Sequence, residues 1–266
     1  MDYRGNKTRQ TMGAPNMKLA VVTTMNKKLY DEYGHRFFET YNWPFDCYVY
    51  YEDDYKFNPI IDQYHYGKDG KTPYFYRDLN KEAPECFSFI TRNKHRQIKD
   101  KRKDFWKDGV RFCYKVYAYT HFLNTHRDYD GVICIDADSV FHKVIDAEWI
   151  KKHIHRDNCM MTYLGRPVYT ECGFLYFNMK HAYVKVYATE MEQMYTEDKI
   201  YKEQQQHDSW IWDIVRKRFE TKHGVENHNI GDNQNGHVQA RSILGPVYDH
   251  TKGLRKIKGR SPEARR

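Results

Sequence analysis

The run Gly131-Val132-Ile133-Cys134-Ile135-Asp136-Ala137-Asp138-Ser139 decides how the rest of the chain is read. Five uncharged residues, three of them β-branched, end abruptly on two carboxylates separated by one alanine. A continuous apolar run without polar alternation predicts a strand covered on both faces, the pattern of a central strand in a parallel sheet. Side chains two apart on an extended segment point the same way. Asp136 and Asp138 are therefore expected to face one point just past the strand's carboxyl end, the edge at which open α/β sheets place their ligands. Converging carboxylates make a hard, oxygen-rich site for Mn²⁺ or Mg²⁺, which would neutralise the phosphates of a bound diphosphate. Asp-x-Asp is also a frequent turn sequence, and its place after a buried strand is what separates it from one.

Working outward, residues 18–24 (KLAVVTT) predict a buried strand, residues 30–41 a helix, and residues 45–51 (FDCYVYY) a second strand that ends on Glu52, Asp53 and Asp54. Residues 56–83 are rich in Tyr, Gly, Pro and Asp with little periodicity, and predict an irregular excursion across the surface. A helical spacing over residues 105–123 puts Phe112, Val116, Tyr119 and Leu123 on one face. Residues 170–178 (TECGFLYFN) predict a further strand, and residues 183–195 and 206–219 two further helices. Strands alternating with helices predict an α/β fold, a mostly parallel sheet flanked by helices in a single domain. Its expected extent is residues 17–256, after a flexible leader (1–16) and before a basic tail (257–266).

The 266 residues include 40% hydrophobic and 16% aromatic side chains, enough apolar surface for one sizeable core. No apolar run approaches the roughly 18 residues needed to cross a bilayer, and residues 1–10 lack the apolar centre of a signal peptide. A soluble protein of the cytoplasm of a bacterium or a phage-infected host is expected. The six cysteines contain no CxxC pair and several sit inside apolar runs, as reduced core residues do. The net charge of +8 is unevenly placed: residues 92–107 hold eight Lys/Arg against two Asp, and residues 252–266 hold seven against one Glu. Each stretch carries +6, so the remainder is about −4. Localised positive charge of this kind suits a polyanionic partner, whether nucleic acid, nucleoside diphosphate or anionic glycan; a solvated face and a disordered tail would read the same way.

One basic segment, residues 248–256 (YDHTKGLRK), carries more than charge. His250 can supply a nitrogen ligand to the cation of the Asp pair. Gly253 lets the backbone approach a phosphate closely, and Lys256 adds a point charge to it.

Taken together, KLAVVTT, RFCYK, IDADS, ECGFLYFN, QHDSWIWD and HTKGLRK resemble the GT-A fold glycosyltransferases, and the ending resembles the His-x-x-Gly-x-x-Lys motif of the family-eight retaining enzymes. Ile257 and Lys258 stand where that family has Pro and Trp, and Thr251 where it has Phe. The resemblance implies that Asp136, Asp138 and His250 bind the metal, with Ala137 beside the nucleotide sugar and Gly253 and Lys256 at its diphosphate. It further implies that Thr23 and Thr24, with Glu52 and Asp53, border the base and ribose, and that Arg111 and Lys115 hold sugar or diphosphate. Asp208 and Glu171 are the implied catalytic acids, although Asp208 opens a predicted helix and could be no more than its N-cap. The implied reaction moves a hexose such as glucose from a UDP-sugar to a hydroxyl. Lys101, Arg102 and Lys103 are expected at the acceptor, taken to be a hydroxymethylated pyrimidine of phage DNA. The alternatives are a bacterial or viral transferase building surface glycan or lipopolysaccharide, and a non-catalytic nucleic-acid or glycan binding module.

Overall fold

The computed structural model describes residues 17–53, 74–100, 103–253 and 255–263. The expected leader, most of the expected irregular stretch, and Lys101 and Arg102 lie outside the described residues. The strands are β1 (Leu19–Met25), β2 (Asp46–Tyr51), β3 (Tyr74–Asp78), β4 (Gly131–Ile135), β5 (Ser139–Phe141), β6 (Cys159–Leu164), β7 (Glu171–Asn178), β8 (Glu226–Asn229) and β9 (Tyr248–His250). Seven of them form one sheet in the order β3-β2-β1-β4-β7-β6-β8, and β5 pairs with β9 in a small second sheet. β3, β2, β1 and β4 run parallel, β7 is antiparallel to both its neighbours, and β8 is parallel to β6. The fold is thus α/β with a mostly parallel sheet.

β4 is buried along its whole length, as its apolar run requires, but only its β1 side is parallel. The run reports burial on both faces, and burial is the same whichever way the neighbour points. A second departure lies at residues 74–78, expected to be irregular, which form the edge strand β3. Its sequence, YFYRD, is aromatic and suits a half-buried pleat better than a loop. Asp78 then caps a short turn of helix, Leu79–Glu82, accepting hydrogen bonds from the backbone N–H groups of Asn80 (3.1 Å) and Lys81 (3.4 Å).

The helices that matter to the site are α1 (His35–Thr40), α2 (Pro84–Asn93), α3 (Gly109–Thr125), α4 (Ala147–His153), α5 (Val184–Thr196), α6 (Asp208–His223) and α7 (Arg255–Lys258). The helix expected over residues 30–41 begins earlier, at Lys27, behind the Asn26 cap, and passes through a π-helical stretch, Tyr30–Gly34, before α1. Helices α2, α3, α5 and α6 pack on one face of the sheet and α1 and α4 on the other, each face with its own core. Asp108 starts α3 by accepting from the Arg111 N–H at 3.1 Å, and Gly224, at φ 62°, ends α6 in the left-handed conformation that glycine adopts without strain. α3 is buried nearly all round, from Val110 to Leu123, because it lies between the sheet and the other helices. Phe112, expected on its core face, is only half-buried at the rim.

The carboxyl ends of β1, β2 and β4 and the amino end of the reversed β7 share one edge of the sheet. Strand order turns back between β1 and β4, the switch point at which a crevice opens in such sheets. Two surface cavities, of about 500 and 490 Å³, open at the opposite edge, near Leu19, Asp46 and Asn178. Neither is lined by Asp136, Asp138, Glu171 or His250.

Candidate active site

Asp136 follows β4 directly, Ala137 and Asp138 form a turn, and the chain then enters β5. The carboxylates converge, but through this turn rather than along an extended strand. β5 pairs with β9 so that Ser139 faces His250, and the Thr251 hydroxyl donates to the Asp138 carbonyl at 2.8 Å. A residue near the end of the chain is in this way fastened beside one from its middle.

The outcome is a tight constellation. His250 Nε2 lies 3.3 Å from Asp136 Oδ2 and 3.0 Å from Asp138 Oδ1. One ligand atom from each of Asp136, Asp138 and His250 falls within 4.8 Å of the others. Lys256 Nζ, reaching in from α7, is 2.9 Å from Asp138 Oδ2 and sits over the Tyr33 ring at 4.3 Å. Lys115 Nζ, from α3, lies 2.7 Å from both Asp136 Oδ1 and Asp208 Oδ2. Glu171, the first residue of β7, is held by Lys252 and by Arg166 (3.2 Å), with Oε1 at 3.7 Å from His250 Nδ1.

Burial alone would push these carboxyls up and the cations down; the mutual attraction of the cluster wins. Asp138 is held well below the ordinary carboxylate range by His250 and Lys256 despite its burial, and Glu171 likewise by Lys252 and Arg166. The Asp136 carboxyl is lowered against its burial chiefly by Lys115. His250, which burial would depress, is raised to about 9 by Asp138 and Asp136.

Backbone geometry explains the closeness. A Cβ on Gly173 would stand 2.1 Å from His250 Nδ1, so only glycine lets the imidazole lie against β7. Gly253 has φ 56° with open space where its Cβ would be, so its glycine serves the turn and leaves the backbone uncovered. Arg36 donates to the Lys256 carbonyl, which ties α7 to α1.

Thr23 is fully buried, with its hydroxyl unpaired among the described residues. Thr24 donates to Glu52 Oε1 at 3.1 Å, and Asn26 donates to Glu52 Oε2 at 2.8 Å. The Glu52 carboxyl is pushed up to about 7 by burial, against those two hydrogen bonds. Asp208 is the first residue of α6 but not its cap: His207 caps the helix, accepting from the Trp210 N–H at 3.4 Å. The Asp208 carboxylate is free to meet Lys115. Arg111 is exposed, over the Phe112 ring at 5.4 Å, and does not reach the cluster. Lys103 is exposed. Sequence reasoning missed Tyr33, Arg166, Lys252 and Gly173. Gly173, a glycine inside a strand, was the one with a legible signal of close approach.

Among the described residues no helix is long and apolar enough to cross a membrane. No family model and no curated protein matches the chain. Solved structures do. The apo form of mouse xyloside xylosyltransferase 1 is similar at TM-score 0.47 and 10% identity, over 81% of this chain and 85% of that one. The glycosyltransferase GlyE of Streptococcus pneumoniae TIGR4 is similar at TM-score 0.49 and 12% identity, over 85% of this chain but only 46% of its own length. The galactosyltransferase LgtC, in complex with donor and acceptor sugar analogs, is similar at TM-score 0.42 and 12% identity, over 78% and 72%.

Proposed function

We propose that this chain is a metal-dependent glycosyltransferase that moves a sugar from a nucleoside diphosphate to a hydroxyl acceptor. The observation that carries the reading is the convergence of Asp136, Asp138 and His250 with two lysines at the carboxyl edge of the sheet. Two carboxylates and one imidazole suit Mn²⁺ better than Mg²⁺, which prefers oxygen ligands and keeps its waters. Asp136, Asp138 and His250 would hold that cation, which would supply positive charge to offset that of a diphosphate leaving group.

The chain's own residues supply the rest. Lys256 adds a positive charge for the diphosphate, and the open backbone at Gly253 gives the phosphates room. Thr24 and Glu52, at the ends of β1 and β2, border the base and ribose, with the fully buried Thr23 beneath them; uridine and a hexose such as glucose are the donor the resemblance implies. Lys115 holds Asp136 and Asp208 on one ammonium, which supports reading Asp208, with Glu171, as the acids that would flank the sugar. In the transfer the bond from the anomeric carbon to the diphosphate breaks, its electron pair leaves with the diphosphate, and the acceptor oxygen bonds to that carbon. The acceptor proton passes to the departing phosphate, because Glu171, held ionised by Lys252 and Arg166, is a poor base.

Isothermal titration with UDP, UDP-glucose and GDP, each with and without Mn²⁺, tests the reading. Binding of a uridine nucleotide should require Mn²⁺ and fall at least tenfold in Asp138→Asn, with unfolding temperature checked in parallel. Metal-independent binding, or binding unchanged in the folded variant, would overturn it.

A further inference from the structure

Between the end of α2 and the first turn of α3 the chain presents Lys94, Arg96, Lys99, Lys103, Lys107 and Arg111, all exposed, and none in an ion pair with a described carboxylate. Some surface cations elsewhere are paired, as Lys18 is with Asp128 and Arg241 with Asp232, and others such as Lys151, Lys185 and Lys222 are not, among the described residues; the ridge differs in gathering six unpaired cations between residues 94 and 111. The ridge is also interleaved with aromatic rings. Arg96 lies over Tyr201 at 4.2 Å, Lys107 over Trp106 at 4.4 Å and Arg111 over Phe112 at 5.4 Å.

This ridge runs toward the site. The Gln206 N–H donates to the Trp106 carbonyl at 2.7 Å, so the ridge is stitched to the segment that leads into Asp208. Phe105 (5.6 Å), Phe112 (6.2 Å) and Tyr169 (4.6 Å) surround the His207 ring, one residue before Asp208. Phe105 is 37% exposed, although its ring would gain by burial. Arg111 stands one helical turn before Lys115, which holds Asp208 and Asp136.

We propose that the ridge and the rings around His207 form the acceptor-binding surface and that the acceptor is a single-stranded nucleic acid. Unpaired cations following a chain of phosphates, alternating with ring faces on which bases stack, is the arrangement that binds single strands. Sugar rings also stack on aromatic faces, so comparison with a polyanion that lacks bases decides between a nucleic acid and an anionic glycan. The inference rests on the transferase reading, since it assigns the partner of the same site.

Quenching of tryptophan fluorescence by an oligothymidylate, measured over a range of salt, tests it, with heparin as the polyanion that lacks bases. With about −0.7 of log–log slope for each phosphate neutralised, six cations give a slope of roughly −4. The triple variant Lys99→Glu, Lys103→Glu, Lys107→Glu should bind more than tenfold more weakly with a shallower slope, its unfolding temperature unchanged. Tyr169→Ala should weaken the oligothymidylate about tenfold and leave heparin unaffected. Equal binding of both polymers with no effect of Tyr169→Ala would overturn the nucleic acid in favour of an anionic glycan. No binding of oligothymidylate at low salt would overturn the surface altogether. Mn²⁺-dependent UDP binding, measured on the same preparation, separates the two readings: its presence beside failed oligothymidylate binding sinks only this inference, and its absence sinks the transferase.

Discussion

Lys256 already stands where a cation is wanted. Its ammonium is 2.9 Å from Asp138 Oδ2, so a divalent ion taking that oxygen as ligand must displace it. Once displaced, the charge needs a new counter-ion, and a diphosphate is one. Metal and nucleotide should therefore bind with positive coupling, each making room for the other. Lys256→Met removes the competitor and the coupling together. Mn²⁺ affinity without nucleotide, read by electron paramagnetic resonance, should rise about tenfold, equivalent to about 1.4 kcal/mol, while UDP affinity in the presence of Mn²⁺ falls. Weaker Mn²⁺ binding in the variant would mean that the lysine supports the metal site instead of competing for it. This single side chain illustrates what sequence can carry: the types and spacing of His250, Gly253 and Lys256 raised the expectation of a metal and a phosphate, but the pairing of His250 and Lys256 with Asp138 depends on β5 and β9 meeting. Tyr33 and Lys252 carried no signal, because a tyrosine in a helix and a lysine in a basic run are ordinary until the fold brings them beside Lys256 and Glu171.

Among the elements, α3 does the most to hold the site together, since Lys115 ties the end of β4 to the start of α6. Its stem is packed in the core and its ammonium compensates two carboxylates that burial would otherwise penalise. Removing one partner of such a cluster leaves buried charge unpaired, at a cost of about 3–5 kcal/mol. Lys115→Met should show a loss of that order by urea unfolding of the metal-free protein. Adding Asp208→Asn removes one of the stranded charges, so the double variant should be more stable than the single one. Simple additivity of the two losses would show that the lysine is not the tie between these elements. The legibility of the elements follows the same physics. β1, β2, β4 and β7 could be read from their β-branched or aromatic apolar runs, whereas β3, β8 and β9 are short or lie at edges, and β6 (CMMTYL), although central and buried, has one β-branched residue and was missed. The reversal of β7 could not be read at all, since a strand buried on both faces has the same sequence pattern in either direction.

At the scale of the whole molecule, stability should carry the mark of one buried acid. Glu52 stands where β2 leaves the sheet, bound to Thr24 and Asn26 from the end of β1, and burial pushes its carboxyl up to about 7 from an ordinary 4.5. The folded state thus keeps a proton that the unfolded chain gives up at lower pH. Stability is fully present below pH 4.5 and is lost as pH rises to about 7, above which both states are ionised and the loss is complete. A shift of this size is worth about 3 kcal/mol, a sizeable part of the 5–15 kcal/mol that keeps a domain folded. Groups such as Asp213, lowered by Lys217 and Arg216 against its burial, act in the opposite sense and at more acid pH, so the raw profile mixes several titrations. The difference between the wild-type protein and Glu52→Gln isolates this one. Any steric or hydrogen-bonding cost of the amide is the same at every pH, so only the titration of Glu52 makes that difference vary. Urea unfolding at a series of pH values should find the variant gaining about 3 kcal/mol relative to wild type between pH 4.5 and 7, then holding level. A difference that stays constant across that window would place Glu52 among the ionised carboxylates and leave the junction of β1 and β2 negatively charged at neutral pH.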